Sequence, residues 1–198
     1  MTDTLLIGSG NRGKATELAE LLQGLPWDVK GLGDYPEVPE PVEDGETFEA
    51  NAAKKALYFA HQFGVACLAD DSGLVVDALG GAPGVYSARY SGEGATDLTN
   101  NAKLLDALRD TPEAERTARF VCCAAFVLPG QEPHLELGTV EGRIAFEQLG
   151  PRGFGYDPLF VPEGHERSFG QMDSAEKLAL SHRGHALRKM RTYLESLR

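Results

Sequence analysis

Gly8, Gly10, Gly13 and Lys14 are the residues whose spacing speaks most directly of chemistry in this chain. The three glycines spell Gly-x-Gly-x-x-Gly, the turn of dinucleotide-binding folds, and Gly8 to Lys14 spell Gly-x4-Gly-Lys, the start of a P-loop. Neither pattern is complete. A P-loop carries Ser or Thr next, to hold magnesium, and this chain has Ala15. A dinucleotide site wants an acid about 20 residues on. Asp34 supplies one, but Lys14 follows the third glycine directly and Gly31-Leu32-Gly33 makes a weak strand end. A plain strand-to-helix turn, with glycines for tight geometry, is the third reading. A glycine turn opening a helix presents unpaired N–H groups and the positive end of the dipole to an anion. Lys14 adds a full charge there.

Asp70 and Asp71 offer the metal ligand that the glycine loop lacks. Magnesium takes oxygen donors, keeps several waters and bridges to substrate phosphates, so one or two carboxylates at a strand end suffice. Successive strand residues point to opposite faces, so only one of the two faces a given site unless the strand has already ended. Asp-Asp-Ser-Gly is equally good turn chemistry. Glu43 and Asp44, in an acidic stretch with prolines, are further candidate ligands or simply a solvated loop. Phe154-Gly155-Tyr156-Asp157 pairs aromatics able to stack on a base with a carboxylate, or else marks the entry to a strand. Lys177, His182 and Arg183 gather cations and a ring near a helix junction, either for an anionic nucleotide or to complement helix dipoles. No Ser-His-Asp arrangement or His-rich metal spacing stands out.

The elements that must position these groups alternate in type. A strand over 4–9 leads into a helix over 15–25 with Leu18, Ala19, Leu21, Leu22 and Leu25 on one side. A second strand follows over 27–32, and prolines 36, 39 and 41 exclude regular structure over 34–46. Thr47 opens a helix to about Gly64 whose stripe is Phe48, Ala52, Ala56, Phe59, Ala60 and Phe63, with Asn51, Lys54 and Lys55 off it. Strands are expected over 65–69 and, separately, 74–79, and then a helix capped by Thr96 or Asp97 and running to about Leu108. Strands over 116–128 and 134–145 flank the turn Pro129-Gly130, a short strand ends near Val161, and helices over 173–180 and 181–197 close the chain. This alternation predicts an α/β fold with some antiparallel pairing, and 198 residues suit a single domain.

The balance of 19 basic against 30 acidic residues, a net charge of −11, argues against general nucleic-acid or anionic-membrane binding. It leaves room for one small phosphorylated ligand held by local cations. Cys67, Cys122 and Cys123 read as buried free thiols of a reducing compartment. The first residues lack a basic region and a cleavable apolar stretch, and the longest apolar run, 120–128, is too short to span a bilayer, so a cytoplasmic location is expected.

The order of the blocks is more distinctive than any one of them. Ser9-Gly10-Asn11-x-x-Lys14-x-x-Glu17, Gly45-x-Thr47-Phe48-x-Ala50-Asn51-Ala52, Ala69-Asp70-Asp71-Ser72-Gly73-Leu74, Gly80 to Arg89, Phe154 to Pro158 and Ser181-His182-Arg183-Gly184 together resemble the inosine/xanthosine triphosphate pyrophosphatases over essentially the whole chain. The resemblance implies an elongated, mixed, twisted sheet flanked by helices, with two lobes and a central active-site cleft. It implies a magnesium-dependent homodimer that hydrolyses non-standard purine nucleoside triphosphates (ITP, dITP, XTP) to monophosphate and pyrophosphate, keeping them out of DNA and RNA. Carried onto this chain, Ser9, Gly10, Asn11, Arg12, Gly13 and Lys14 bind the triphosphate, and Asp71 is proton acceptor and metal ligand. Ser72, Phe154, Gly155, Tyr156, Asp157, Lys177, His182 and Arg183 contact the nucleotide. The chain departs from many relatives at Val42-Glu43-Asp44-Gly45, where their metal-binding Glu aligns with Val42, and Glu43 is the substitute by proximity.

Overall fold

The computed structural model describes residues 3–197. Among them, six strands form one mixed sheet: β1 (Asp3–Ile7), β2 (Trp27–Gly31), β3 (Ala66–Val76), β4 (Thr117–Val127), β5 (His134–Ile144) and β6 (Phe160–Pro162), in the order β2-β1-β3-β4-β5-β6. The helices are α1 (Arg12–Leu22), α2 (Phe48–Phe63), α3 (Asp97–Ala107), α4 (Ser174–Leu180) and α5 (His182–Ser196). β1 runs parallel to β2 and β3, with Leu5 opposite both Val29 and Ala66, whereas β5 and β6 are antiparallel. The α/β expectation therefore holds, including its antiparallel part.

The chain divides into two compact units, Met1–Asp71 with Cys122–Gly138 and Arg183–Arg198, and Ser72–Val121 with Thr139–His182. Each has a core of its own. The first packs Leu5, Ile7, Leu18, Leu22, Leu68, Phe126, Leu187, Met190 and Leu194. The second packs Leu74, Val76, Leu104, Leu108, Phe120, Ile144, Leu159, Phe160 and Phe169. No helix among the described residues is long and apolar enough to cross a membrane.

Two expectations are corrected. Helix α1 begins at Arg12 and ends at Leu22, three residues earlier at each end than the apolar spacing suggested. Asn11 sets the start as an N-cap whose side chain accepts a hydrogen bond from Lys14 N at 3.1 Å, and the chain leaves the helix at Gln23, whose ψ is 136°. Asp70-Asp71-Ser72-Gly73 is not a turn between two strands: β3 runs through it to Val76. Turn formers adopt a strand here because the fold satisfies them. Asp70 and Asp71 are buried, at 0% and 4% exposure, and both find cations and donors. Helix α2, by contrast, lies where expected, with Thr47 accepting from Ala50 N and Gly64 closing it at φ 65°.

Candidate active site

In the first unit, β1 leads into the glycine turn, and Gly8 N donates to Leu68 O on β3 at 2.8 Å. Gly8 must be glycine, since a Cβ there would lie 2.8 Å from a Phe59 ring carbon and 2.9 Å from Cys67 Sγ. This tight approach brings the start of α1 beside β3, and Lys14 Nζ reaches Asp70 Oδ2 at 3.5 Å. Asp34, the acid a dinucleotide site would use, instead accepts from Gly31 N at 2.9 Å and closes its own turn. The sheet order also differs from the 3-2-1-4-5-6 of a doubly wound dinucleotide fold.

Asp70 is the anchor of a buried charge network. Besides Lys14, its Oδ2 accepts from Arg183 Nε at 3.2 Å, and Arg183 reaches Glu17 with its other end. Burial alone would raise the Asp70 pKa, but Lys14, Arg183 and Lys55 outweigh it and hold this carboxyl well below the ordinary range. Burial would likewise lower the Arg183 pKa, yet Asp70 and Glu17 keep it raised. Arg183 is thus engaged by carboxylates of the first unit, at 1% exposure.

Asp71, the next residue, points the other way in β3 and lives in a different environment. Its Oδ2 accepts from Asn51 Nδ2 at 3.0 Å. Burial pushes its pKa up from the ordinary 3.8, and Lys14, Lys55 and the Asn51 hydrogen bond pull it down without cancelling that rise, to which Glu43 adds. Lys55 Nζ lies 2.6 Å from Glu43 Oε1 and 3.1 Å from Asp70 O. Burial works against its charge, but Asp70, Glu43 and Asp71 hold its pKa above the ordinary lysine value. Three carboxylates, Asp70, Asp71 and Glu43, and two ammonium groups, Lys14 and Lys55, therefore converge where the glycine turn meets β3.

Asn51 and Lys55 were not expected in the site, because both fall off the apolar stripe of α2. Asn51 is 1% exposed and accepts from Gly45 N at 2.8 Å as well as donating to Asp71. A polar residue and a cation one helical turn apart, on the helix that follows the acidic, proline-containing stretch, was the available signal.

Magnesium fits this donor set in type. Asp71 and Glu43 supply hard oxygens, and the fully buried Asp70 Oδ1 has no hydrogen-bond partner. Among the described residues no group of three or more His, Cys, Asp or Glu is arranged to hold a metal.

In the second unit, Phe154–Asp157 forms a turn, with Phe154 N donating to Asp157 Oδ2 at 2.8 Å. Lys177, on α4, donates to the same oxygen at 2.7 Å, and its Nζ lies 4.3 Å from the centre of the Phe154 ring. Asp157 and Lys177 are 2% and 5% exposed, so the pair presents a buried cation under an aromatic face. Tyr156 donates to Ser87 O at 2.8 Å. His182 stacks on Phe120 with centroids 4.6 Å apart. Ser72 lies half-buried in β3, the residue after Asp71. Of the expected site residues, Ser9 to Lys14, Glu43 and Asp71 thus gather in one unit with Arg183. Phe154 to Asp157 and Lys177 gather in the other, which also holds Ser72 and His182.

Comparison with known proteins agrees in sequence and in fold. A protein from Exiguobacterium sibiricum named dITP/XTP pyrophosphatase is 49% identical over 190 residues, covering 96% of each chain. One of the same name from Geobacter sulfurreducens is 48% identical over 190 residues, again covering 96% of each. The solved structure of a HAM1 protein from Coxiella burnetii superposes with a TM-score of 0.89 at 40% identity, covering 98% of each chain. The sequence pattern of the Ham1 family matches residues 5–193, and the chain belongs to that family.

Proposed function

We propose that this protein hydrolyses ITP, dITP and XTP to the nucleoside monophosphate and pyrophosphate, acting as a magnesium-dependent pyrophosphatase. The observation that carries the reading is the placement of Asp71: it is buried and accepts from Asn51 Nδ2 at 3.0 Å, next to Asp70, whose Oδ2 lies 3.5 Å from Lys14 Nζ and whose carbonyl accepts from Lys55. Burial raises the Asp71 pKa, and at Asp70 the cations outweigh burial and lower it. Groups pushed apart in this way take separate roles. The names of the relatives from Exiguobacterium and Geobacter support the substrate class.

The triphosphate is taken by Ser9 to Lys14, where backbone N–H groups at the start of α1 and the Lys14 charge meet its oxygens. Lys55 adds a second ammonium from α2. Asp71 and Glu43 would hold Mg2+, which when bound would neutralise phosphate charge and make water more acidic. Asp71 accepts the proton of the attacking water. The water oxygen bonds to the α-phosphorus as the bond to the bridging oxygen breaks, and pyrophosphate leaves with that electron pair. Phe154 offers a ring face to the base, and Lys177 and its neighbours supply donors for a 6-oxo group, which the 6-amino group of adenine cannot accept. Unpaired polar groups in a site built this way allow discrimination on the order of 10⁴. Ser72 and His182 complete the nucleotide contacts, and Arg183 belongs to them through its hold on Asp70. The enzyme works in the cytoplasm as a homodimer, an assignment that rests on the family resemblance and on its three free, buried thiols.

Pyrophosphate release from ITP, XTP, dITP, ATP and GTP with magnesium tests this. Release from the first three, far exceeding that from ATP, is expected, and GTP, which shares the 6-oxo group, should fall between them. Binding without release, or equal release from all five, overturns it.

A further inference from the structure

The turn that would read the base is held from α3. Gly155 N donates to Asp97 Oδ2 at 2.7 Å, and Asn101 Nδ2 donates to Gly155 O at 3.0 Å. Asp97 and Asn101 are four residues apart, hence on one face of the helix, so both polar groups of one glycine are gripped from one side. Gly155 sits at φ 61°, a conformation in which an ordinary side chain is strained. Its two neighbours, Phe154 and Tyr156, take their direction from it.

Two details mark the grip as more than packing. Asn101 is 2% exposed, and its Oδ1 has no hydrogen-bond partner. A buried, unsatisfied acceptor is unfavourable, and such departures concentrate where a fold serves function. Here the amide is retained for its donor. Asn100, the adjacent residue, donates to Ser87 O at 3.3 Å and Ala88 O at 3.1 Å, and accepts from Ser91 N at 2.7 Å. Tyr156 donates to that same Ser87 carbonyl. The first two turns of α3 therefore fix the Phe154–Asp157 turn and the backbone against which Tyr156 rests.

We propose that Asp97 and Asn101 are positioning residues for base selection: they hold Gly155 so that Phe154 and the Asp157–Lys177 pair meet the purine in one orientation. The proposal rests on the pyrophosphatase reading and adds the residues that set its selectivity. Neither side chain need touch the substrate.

The full-length protein with Asp97→Ala, Asp97→Asn and Asn101→Asp tests this through kcat and KM for ITP and ATP, alongside the melting temperature. Asp97→Ala and Asn101→Asp should each raise KM for ITP about tenfold, the scale of one lost hydrogen bond. They should leave kcat within about threefold, which marks lost binding rather than lost chemistry, and lower the ITP-to-ATP ratio of kcat/KM. Asp97→Asn keeps an acceptor for Gly155 N and should restore the ratio. Unchanged KM and selectivity with only a lower melting temperature would overturn the clamp, as would failure of Asp97→Asn to restore what Asp97→Ala loses. Should Asn101→Asp not fold, the two Asp97 variants decide alone. A wild-type enzyme that releases no pyrophosphate from ITP overturns the parent reading and the clamp together. One that prefers ITP while all variants keep that preference overturns the clamp only.

Discussion

Asp70 and Asp71 are consecutive residues of β3 whose carboxyl groups are driven in opposite directions, the first held ionised by Lys14, Arg183 and Lys55 and the second pushed up by burial. Asp71→Asn should lower kcat by about 10²–10⁴, the usual contribution of a positioned base, while nucleotide binding measured by equilibrium titration stays within a few fold. Near-normal turnover would remove Asp71 from the role.

Asp70→Asn should act through stability instead. It leaves buried Arg183 and half-buried Lys14 short of a counter-charge at nearly constant volume, and losing one partner of the buried pair with Arg183 costs about 3–5 kcal/mol. Urea denaturation monitored by circular dichroism gives the number, and a loss below about 1 kcal/mol would mean that Glu17 and solvent compensate.

Lys55→Ala removes a cation that favours ionised Asp71. The Asp71 pKa should rise further, so the acid limb of kcat/KM moves to higher pH, and KM for the triphosphate rises as well. A pH–rate profile of the variant checks both, and an acid limb that stays in place or moves down contradicts the assignment.

The thiols predict the alkaline behaviour. Burial raises Cys67 and Cys123 from 9.0 to about 12. Above pH 9 the unfolded chain ionises these groups while the folded chain keeps their protons. Stability therefore falls as pH rises from 9 towards 12, by about 1.4 kcal/mol per pH unit for each thiol. Denaturant midpoints across this range measure the slope. A thiol reagent should find none of Cys67, Cys122 and Cys123 in the native protein and all of them in urea.

Gly8→Ala tests the turn. The added methyl meets Phe59 and Cys67 below contact distance, and overpacking of this kind costs about 1–3 kcal/mol. A calorimetric melting curve without a downward shift would show that β1 and α2 yield easily there.

Much of this architecture is legible in the chain. Thr47 and Gly64 mark both ends of α2 because capping is local chemistry, and the strands about Pro129-Gly130 follow from alternation and a turn. Asp70 to Gly73 misleads because its residues are turn formers until Lys14 and Arg183 arrive, and Arg183 is 113 residues away. Tertiary partners overrode local preference. Asn51 and Lys55 escaped for a related reason. A helical stripe counts apolar residues, and a buried amide is indistinguishable from a solvated one until its partner is known. Asp97 and Asn101 gave no motif at all, since what they grip is a backbone rather than a side chain.

That each unit carries a complete core bears on how such an enzyme changes over time. Among the described residues, Phe160 and Phe169 belong to one core cluster and Leu5 and Leu68 to another, so the effects of substitutions in the two on stability should add. If Phe154 and Lys177 read the base as proposed, base preference can then drift under selection while Asp71 and Glu43 stay intact, and a laboratory search for new nucleotide preferences can confine its libraries to the core around Phe160 and Phe169.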